Sequence, residues 1–200
     1  MSKVLYIKAN PKSNEESRTF QISEKFVEAY KQSHPQDEII TLDLYQEKIQ
    51  FLSHEDVNLH KPNQADYHDH PVLKYAYQFL EADRYIIAAP LWNLSIPAIL
   101  KAYLDYVTWT GITFTYTAEG PKGLCTGKKA VHISARGGQY SEGPAAAFEM
   151  GDRYLRTILG FLGITDVTTI TAEALDVIGM DVAAVVGKAI EEAKKTAASF

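Results

Sequence analysis

Short apolar segments alternate along the chain with longer amphipathic ones. Five of the short segments are rich in β-branched or aromatic residues and predict β-strands over residues 3–9, 38–42, 85–90, 129–134 and 167–170. The segment at 85–90 is apolar at nearly every position, which is typical of a strand buried on both faces of a parallel sheet. The segments between the strands carry apolar residues at helical spacing.

The first predicted helix ends before Pro35, because the residue before a proline disfavours helical geometry. Its apolar face consists of Phe20, Phe26, Val27 and Tyr30. A later helix is predicted to begin at Pro97, with Ser95 as its cap. The remaining helices are predicted to follow Ser53, to span 72–83 and 181–198, and to run through 154–162.

Strands that alternate with helices predict an α/β fold, with a doubly wound five-stranded parallel sheet in three α/β/α layers. Residues 1–200 are expected to form a single domain with a small hairpin-like insertion around 111–127. Sheets of this kind bind ligands outside the carboxyl ends of their strands. The loops after the first, third and fourth strands are therefore the candidate ligand-binding loops.

Composition and charge exclude several classes of function. The net charge of −5 and the isoelectric point near 5.7 argue against a nucleic acid partner. No apolar run approaches the ~18 residues of a membrane span, so no membrane association is expected, and the strand-like residues 1–7 are unlike a signal peptide. Cys125 is the one cysteine and cannot form a disulfide within the chain, so we interpret it as a structural thiol in a reducing, cytoplasmic compartment.

The motifs of several other enzyme classes are missing. No G-x-G-x-x-G follows the first strand, and no G-x-S-x-G is present, which argues against a dinucleotide-binding Rossmann domain and a hydrolase. His68, Asp69 and His70, with Asp66 nearby, resemble a set of metal ligands. An aperiodic segment does not preorganise such ligands, so we expect a solvated loop and no metal.

The loop after the first strand, residues 10–19, leads directly into a predicted helix. A helix N-terminus offers free N–H groups and the positive end of the helix dipole to an anion. The loop adds hydroxyl and cationic side chains from Lys12, Ser17, Arg18 and Thr19. A capping box of Ser13 and Glu16, which needs no ligand, explains the same pattern equally well. A phosphate-binding loop and a simple capping box therefore both remain possible interpretations of this segment.

The other two loops add an aromatic side chain and a glycine pair. Trp92 and Asn93 follow the third strand, where an aromatic ring suits a flat ligand, although a lone Trp more often covers the edge of a core. Gly137 and Gly138 follow the fourth strand and allow close backbone approach to a ligand, or simply a positive φ. Together the loops match a mononucleotide with a flat heterocycle, of which flavin mononucleotide (FMN) is the leading member.

Five segments carry a more specific signal than any single loop. They are residues 88–97 (AAPLWNLSIP), 111–117 (GITFTYT), 120–130 (GPKGLCTGKKA), 134–138 (SARGG) and 159–167 (LGFLGITDV). In this combination the chain resembles, over essentially its whole length, the FMN-dependent NADH-azoreductases. These are relatives of the NAD(P)H:quinone oxidoreductases and have a flavodoxin-like fold.

The resemblance implies one FMN per subunit, NADH as electron donor, and a homodimer whose active site lies at the subunit interface. The phosphate and ribityl end would meet Asn10, Ser17, Arg18 and Thr19. The isoalloxazine would be lined by Leu91, Trp92, Asn93 and Leu94, and its pyrimidine edge by Ala135, Arg136, Gly137 and Gly138. The family often has Ser where this chain has Asn10 and Ala135, so hydroxyl contacts there are lost or replaced while the backbone donors remain.

The implied activity is reduction of azo compounds and quinones by two-electron, ping-pong transfer. NADH would deliver hydride to flavin N5 and leave before a small aromatic azo or quinone substrate takes the electrons. No catalytic side chain is required, because the flavin carries the chemistry. The main alternative is a flavodoxin-like one-electron carrier without NADH-dependent activity of its own. A phosphate-sensing signal domain is a second alternative, but it would need an acidic pair where this chain has Ala9 and Asn10.

Overall fold

The computed structural model describes residues 1–57 and 69–200. The strands of the main sheet are β1 (Lys3–Lys8), β2 (Glu38–Asp43), β3 (Arg84–Ala88), β6 (Lys129–Ala135) and β7 (Asp166–Ala172). They pair in parallel in the order β2-β1-β3-β6-β7. The five predicted strands are thus confirmed, and the direction of winding reverses between β1 and β3, where such sheets open a ligand-binding crevice.

Helices cover both faces of the sheet. The described residues contain α1 (Arg18–Ser33), α2 (His54–Val57), α3 (Lys74–Glu81), α4 (Ala98–Val107), α5 (Gly151–Phe161) and α6 (Val182–Ala197). Side chains of α1 and α6 pack on one face, and those of α3, α4 and α5 pack on the other. None of these helices combines the length and the apolar character needed to cross a bilayer.

Successive residues of the central strands contribute to two separate apolar cores. In β1, Val4 and Tyr6 join the core beneath α1 and α6. Leu5 and Ile7 join the core beneath α3, α4 and α5. Because both faces of the strand are covered, the side chains from Val4 to Lys8 are all buried and alternation of buried and exposed positions is lost. The same arrangement in β3 explains the unbroken apolar run at 85–90.

Residues 111–127 contain a second, smaller sheet. Its strands, β4 (Phe114–Thr117) and β5 (Gly120–Gly123), pair antiparallel. Gly123 lies so close to the end of α5 that a Cβ there would approach the backbone of Leu162 and Gly163 to 2.2 Å. Next to it, Cys125 is fully buried, and burial raises the pKa of its thiol to about 11. Both facts indicate that Cys125 is an unreactive, structural thiol.

Two predictions at helix N-termini need correction. Ser95 does not cap α4, which begins without a side-chain cap, because Ser95 is bridged to Trp92 by backbone hydrogen bonds instead. The backbone N–H of Ser13 donates to Glu16 Oε2, and that of Glu16 donates to Ser13 Oγ, both at 3.3 Å. This capping box closes a turn ahead of α1, whereas Ser17 caps the helix itself.

Candidate functional site

A cavity of about 300 Å³ opens at the carboxyl edge of the sheet, where β1, β3 and β6 end side by side. Most of the residues that the resemblance assigns to FMN line it: Asn10, Ser17, Arg18, Thr19, Leu91, Trp92, Ala135, Arg136 and Gly137. The other lining residues are Lys12, Glu16, Pro90, Leu175 and Asp176. Loops that are distant in sequence therefore surround one space, while Asn93, Leu94 and Gly138 are not among its lining residues.

The N-terminus of α1 forms the wall on the β1 side. Ser17 Oγ accepts a hydrogen bond from the backbone N–H of Phe20 at 3.2 Å, which caps the helix. The side-chain amide of Asn10 donates to the same oxygen at 3.0 Å. Among the described residues, the backbone N–H groups of Arg18 and Thr19 have no acceptor. These two donors at the positive end of a helix suit an anion.

The loop after β3 is a tight turn that carries Trp92. Trp92 and Ser95 exchange backbone hydrogen bonds of 2.8 and 3.0 Å. The turn holds Asn93 and Leu94 in the left-handed region, with φ of 48° and 70°. This conformation is unfavourable for a branched residue such as Leu94, and strain of this kind concentrates at functional sites. Trp92 remains 38% exposed beside the cavity.

Backbone hydrogen bonds fix the three loops to one another. The N–H of Leu91 donates to the carbonyl of Ala135 at 3.3 Å, and the N–H of Met150 donates to the carbonyl of Leu94 at 2.8 Å. The N–H of Ala135 donates to Thr19 Oγ1 at 3.2 Å. The ends of β3 and β6 and the first turn of α1 are therefore held at fixed distances around the cavity.

Arg136 is almost fully buried between two carboxylates. Its Nη1 lies 2.9 Å from Glu173 Oε1, and its Nη2 lies 3.4 Å from Glu149 Oε1. Burial acts to raise the pKa of Glu173, but hydrogen bonds from Arg136, from the side chain of Ser141 and from the backbone N–H of Tyr140 outweigh burial and lower it. The Nε of Arg136 is buried without an acceptor among the described residues. One donor of this cavity-lining residue is thus left for a ligand.

The loop after β7 closes the remaining side of the cavity. The N–H of Asp176 donates to the Gly137 carbonyl at 2.9 Å, and its carboxylate accepts from Arg18 Nη1 at 3.0 Å. A Cβ on Gly137 would lie 2.3 Å from Asp176 Oδ2, so the exposed Asp176 side chain would have to move to admit a larger residue there. Asp176 lies in the loop after β7, outside the three loops predicted to bind a ligand. The fifth strand ends at the same edge of the sheet, and that position was the available signal.

The charges around the cavity largely cancel. Arg18 is paired with Asp176, and Arg136 is paired with Glu173. Lys12 has no carboxylate within ion-pair distance among the described residues. An anion would therefore be held mainly by neutral N–H and hydroxyl donors, with Lys12 as the cation available to it.

A buried hydrogen-bond network supports the end of β3 beneath the cavity. His132 Nδ1 lies 2.9 Å from Asp152 Oδ1, and its Nε2 lies 3.3 Å from the carbonyl oxygen of Ala89. Asp152 also accepts from Arg156 Nε and from Thr169 Oγ1, both at 2.7 Å. Burial acts to raise the pKa of Asp152, but hydrogen bonds from these three neighbours, His132 first, hold it well below its usual range. The network fixes Ala89 directly ahead of the β3 turn.

The described residues contain no group of three or more His, Cys, Asp or Glu placed to hold a metal ion. His68 and Asp66 lie outside the described residues. The expectation of a solvated, metal-free loop around them therefore stays a prediction.

The geometry of the sheet and its loops agrees with comparison to known proteins. A family model described as "Flavodoxin-like fold" matches residues 2–197. The chain belongs to this family. The predicted flavodoxin-like fold is thereby confirmed, as is the expected relationship to flavin-dependent reductases.

Individual relatives match over their full length. A Clostridium acetobutylicum protein named FMN-dependent NADH:quinone oxidoreductase 2 is 66% identical over 200 residues, which is 100% of both chains. A crystal structure of azoreductase from Bacillus anthracis superposes with a TM-score of 0.89 at 38% identity and covers 100% of both chains. An FMN-dependent NADH-azoreductase from Bacillus anthracis, solved in complex with FMN, has a TM-score of 0.87 at 26% identity and covers 100% of this chain and 99% of its own.

Replacing Asp152 tests the network beneath the β3 turn. The depressed pKa of Asp152 means that its carboxylate stabilises the fold fully above the unfolded carboxyl pKa of about 3.9, and that this stability is lost as pH falls below it. Asp152→Asn is expected to lower the free energy of unfolding by roughly 2 kcal/mol at neutral pH. Urea titrations should show this difference shrinking only below about pH 4.

Asp105→Asn serves as the control, because Asp105 is exposed and pairs with Lys101 on the same helix. Its effect on stability should be small at every pH. An Asp152→Asn difference that is the same at neutral and acidic pH would contradict the assigned ionisation.

Proposed function

We propose that this protein is a cytoplasmic, FMN-dependent oxidoreductase that passes electrons from NADH to quinones and azo compounds. The Clostridium relative at 66% identity is named an FMN-dependent NADH:quinone oxidoreductase 2, and the structural neighbour with bound FMN is an azoreductase. One observation carries the proposal. The cavity brings together two helix N–H groups that have no acceptor among the described residues, an exposed tryptophan and a glycine packed against the Asp176 side chain.

The donor set around the cavity fits FMN. The open N–H groups of Arg18 and Thr19, with Lys12 nearby, would hold the phosphate. Trp92 would flank the isoalloxazine, and the spare Nε of Arg136 would donate to its pyrimidine edge. The full set proposed to contact FMN is Asn10, Ser17, Arg18, Thr19, Leu91, Trp92, Asn93, Leu94, Ala135, Arg136, Gly137 and Gly138.

Bound FMN supplies two-electron transfer between NADH and the acceptor. The side chains of this chain bind and orient, and none is required as nucleophile or general acid. The backbone N–H groups of Gly137 and Gly138 have no acceptor among the described residues and would stabilise negative charge at the pyrimidine edge. NADH and the acceptor would use the same open side beside Trp92 in turn, so that the oxidised pyridine nucleotide leaves first.

A homodimer is part of the proposal. Trp92, Leu94, Phe148 and Met150 are 38%, 40%, 57% and 45% exposed. A backbone hydrogen bond from Met150 to Leu94 brings the segment that follows Phe148 next to the turn that carries Trp92. An exposed apolar surface of this kind favours a protein partner. The family resemblance favours a second copy of this chain, whose residues would complete the pocket.

Anaerobic addition of NADH to the FMN-loaded protein tests the activity. The yellow absorbance of the flavin should bleach at once and return when a quinone or an azo dye is added, whereas free FMN at the same concentration should react far more slowly. A bound flavin that NADH does not reduce would favour the one-electron carrier. A protein with no affinity for flavin would favour the phosphate-sensing domain.

Gly137→Ala tests the close approach of backbone to ligand. The added Cβ would displace the Asp176 carboxylate that pairs with Arg18 beside the cavity, so FMN should bind roughly tenfold more weakly in a fluorescence titration of the apoprotein. Gly187→Ala is the matched control, because a Cβ at that position in α6 meets nothing within 4 Å. Equal FMN affinity in the Gly137 variant and wild type would remove Gly137 from the site.

Phe148→Glu tests the dimer. A charge in the apolar surface should dissociate the protein to monomers in sedimentation experiments and reduce NADH-dependent activity. Gln32→Glu, on the exposed side of α1, is the charge control and should leave the assembly unchanged. A wild-type protein that sediments as a monomer at all concentrations would refute the dimer.

A further inference from the structure

Lys8 is a nearly buried lysine at the carboxyl end of β1, only 8% exposed. Its Nζ lies 2.9 Å from Glu24 Oε1 in α1 and 2.5 Å from Asn14 Oδ1 in the loop after β1. It also lies 4.4 Å from the centre of the Phe20 ring. One ammonium group therefore contacts the strand, the helix and the loop between them.

Burying this ammonium group costs free energy, so a contribution to stability does not explain why a lysine occupies this position. Removing a charge from water is unfavourable unless the charge is paired. Because Glu24 is partly exposed, its ion pair with Lys8 offsets little of this free-energy cost. A methionine would fill the same space against Phe20 without that cost. An apolar side chain could replace neither the ion pair with Glu24 nor the hydrogen bond to Asn14, and only the bond to Asn14 reaches the loop.

Asn14 lies in the middle of the loop that leads to the anion site. Other side-chain contacts of this loop join its own members: Asn10 bonds to Ser17, and Ser13 exchanges bonds with Glu16. The bond from Lys8 to Asn14 instead attaches the loop to β1. A second attachment, from Gln21 Nε2 to the Glu15 carbonyl at 2.5 Å, reaches it from α1.

We propose that Lys8 is a positioning residue for phosphate binding. Through Asn14 it holds residues 10–17 so that the free N–H groups of Arg18 and Thr19 stay open to the phosphate of FMN. Lys8 does not line the cavity itself, so its effect is confined to the phosphate end. The isoalloxazine end is built by the loops after β3 and β6. This inference rests on the proposed FMN-dependent function.

Paired titrations with FMN and with riboflavin, which lacks the phosphate, test the inference. Lys8→Met and Asn14→Ala should each weaken FMN binding by roughly tenfold and leave riboflavin affinity unchanged. The double variant should bind FMN no more weakly than either single variant, because both remove the same contact. Asn14 is exposed, so Asn14→Ala keeps the test valid even where Lys8→Met folds poorly.

Lys25→Met is the matched control, since Lys25 is an exposed lysine of α1 paired with Glu28, and it should change neither affinity. Additive losses in the double variant, or equal weakening of FMN and riboflavin, would overturn the positioning role and leave Lys8 as a structural residue. Failure of the wild-type protein to bind either flavin would instead overturn the proposed function, and this inference with it.

Discussion

The neighbouring positions of β1, β3 and β6 in one parallel sheet are the constraint on which the site depends. Parallel strands end at the same edge, so the loops after these strands meet although their residues are far apart in the chain. The hydrogen bonds from Ala135 to Thr19 and from Leu91 to Ala135 then fix the loops to each other. The cavity is therefore built from several loops, and no single segment of the chain lines all of it.

Hydrogen bonds made within the protein decide which groups remain for a ligand. Most polar atoms around the cavity already have partners: Arg18 is held by Asp176, and the terminal nitrogens of Arg136 are held by Glu173 and Glu149. Among the described residues, the donors without a partner include the N–H groups of Arg18, Thr19, Gly137 and Gly138 and the Nε of Arg136. Selectivity for one ligand then comes from the placement of a few unpaired donors, since the charges nearly cancel.

Local sequence patterns predicted the layers well and the connections between them less well. The apolar run at 85–90 identified a strand covered on both faces, because only such a strand loses its alternation. The capping role expected of Ser95 is wrong, because a local turn bridges Ser95 to Trp92 and α4 begins only at Ala98, with Pro97 at its N-cap position. The residue pattern of a cap does not reveal which competing contact is made.

The order of strands and helices along the chain, the glycine pair after β6 and the family could all be predicted from the residues alone. These properties depend on local periodicity and on motifs that remain legible without coordinates. Three features could be seen only in the folded chain. Asp176 closes the cavity against Arg18, two carboxylates pair with the terminal nitrogens of Arg136, and Lys8 is hydrogen-bonded to Asn14. Each of these is a contact between elements, and its partner depends on how helices and loops pack across the sheet rather than on spacing along the chain.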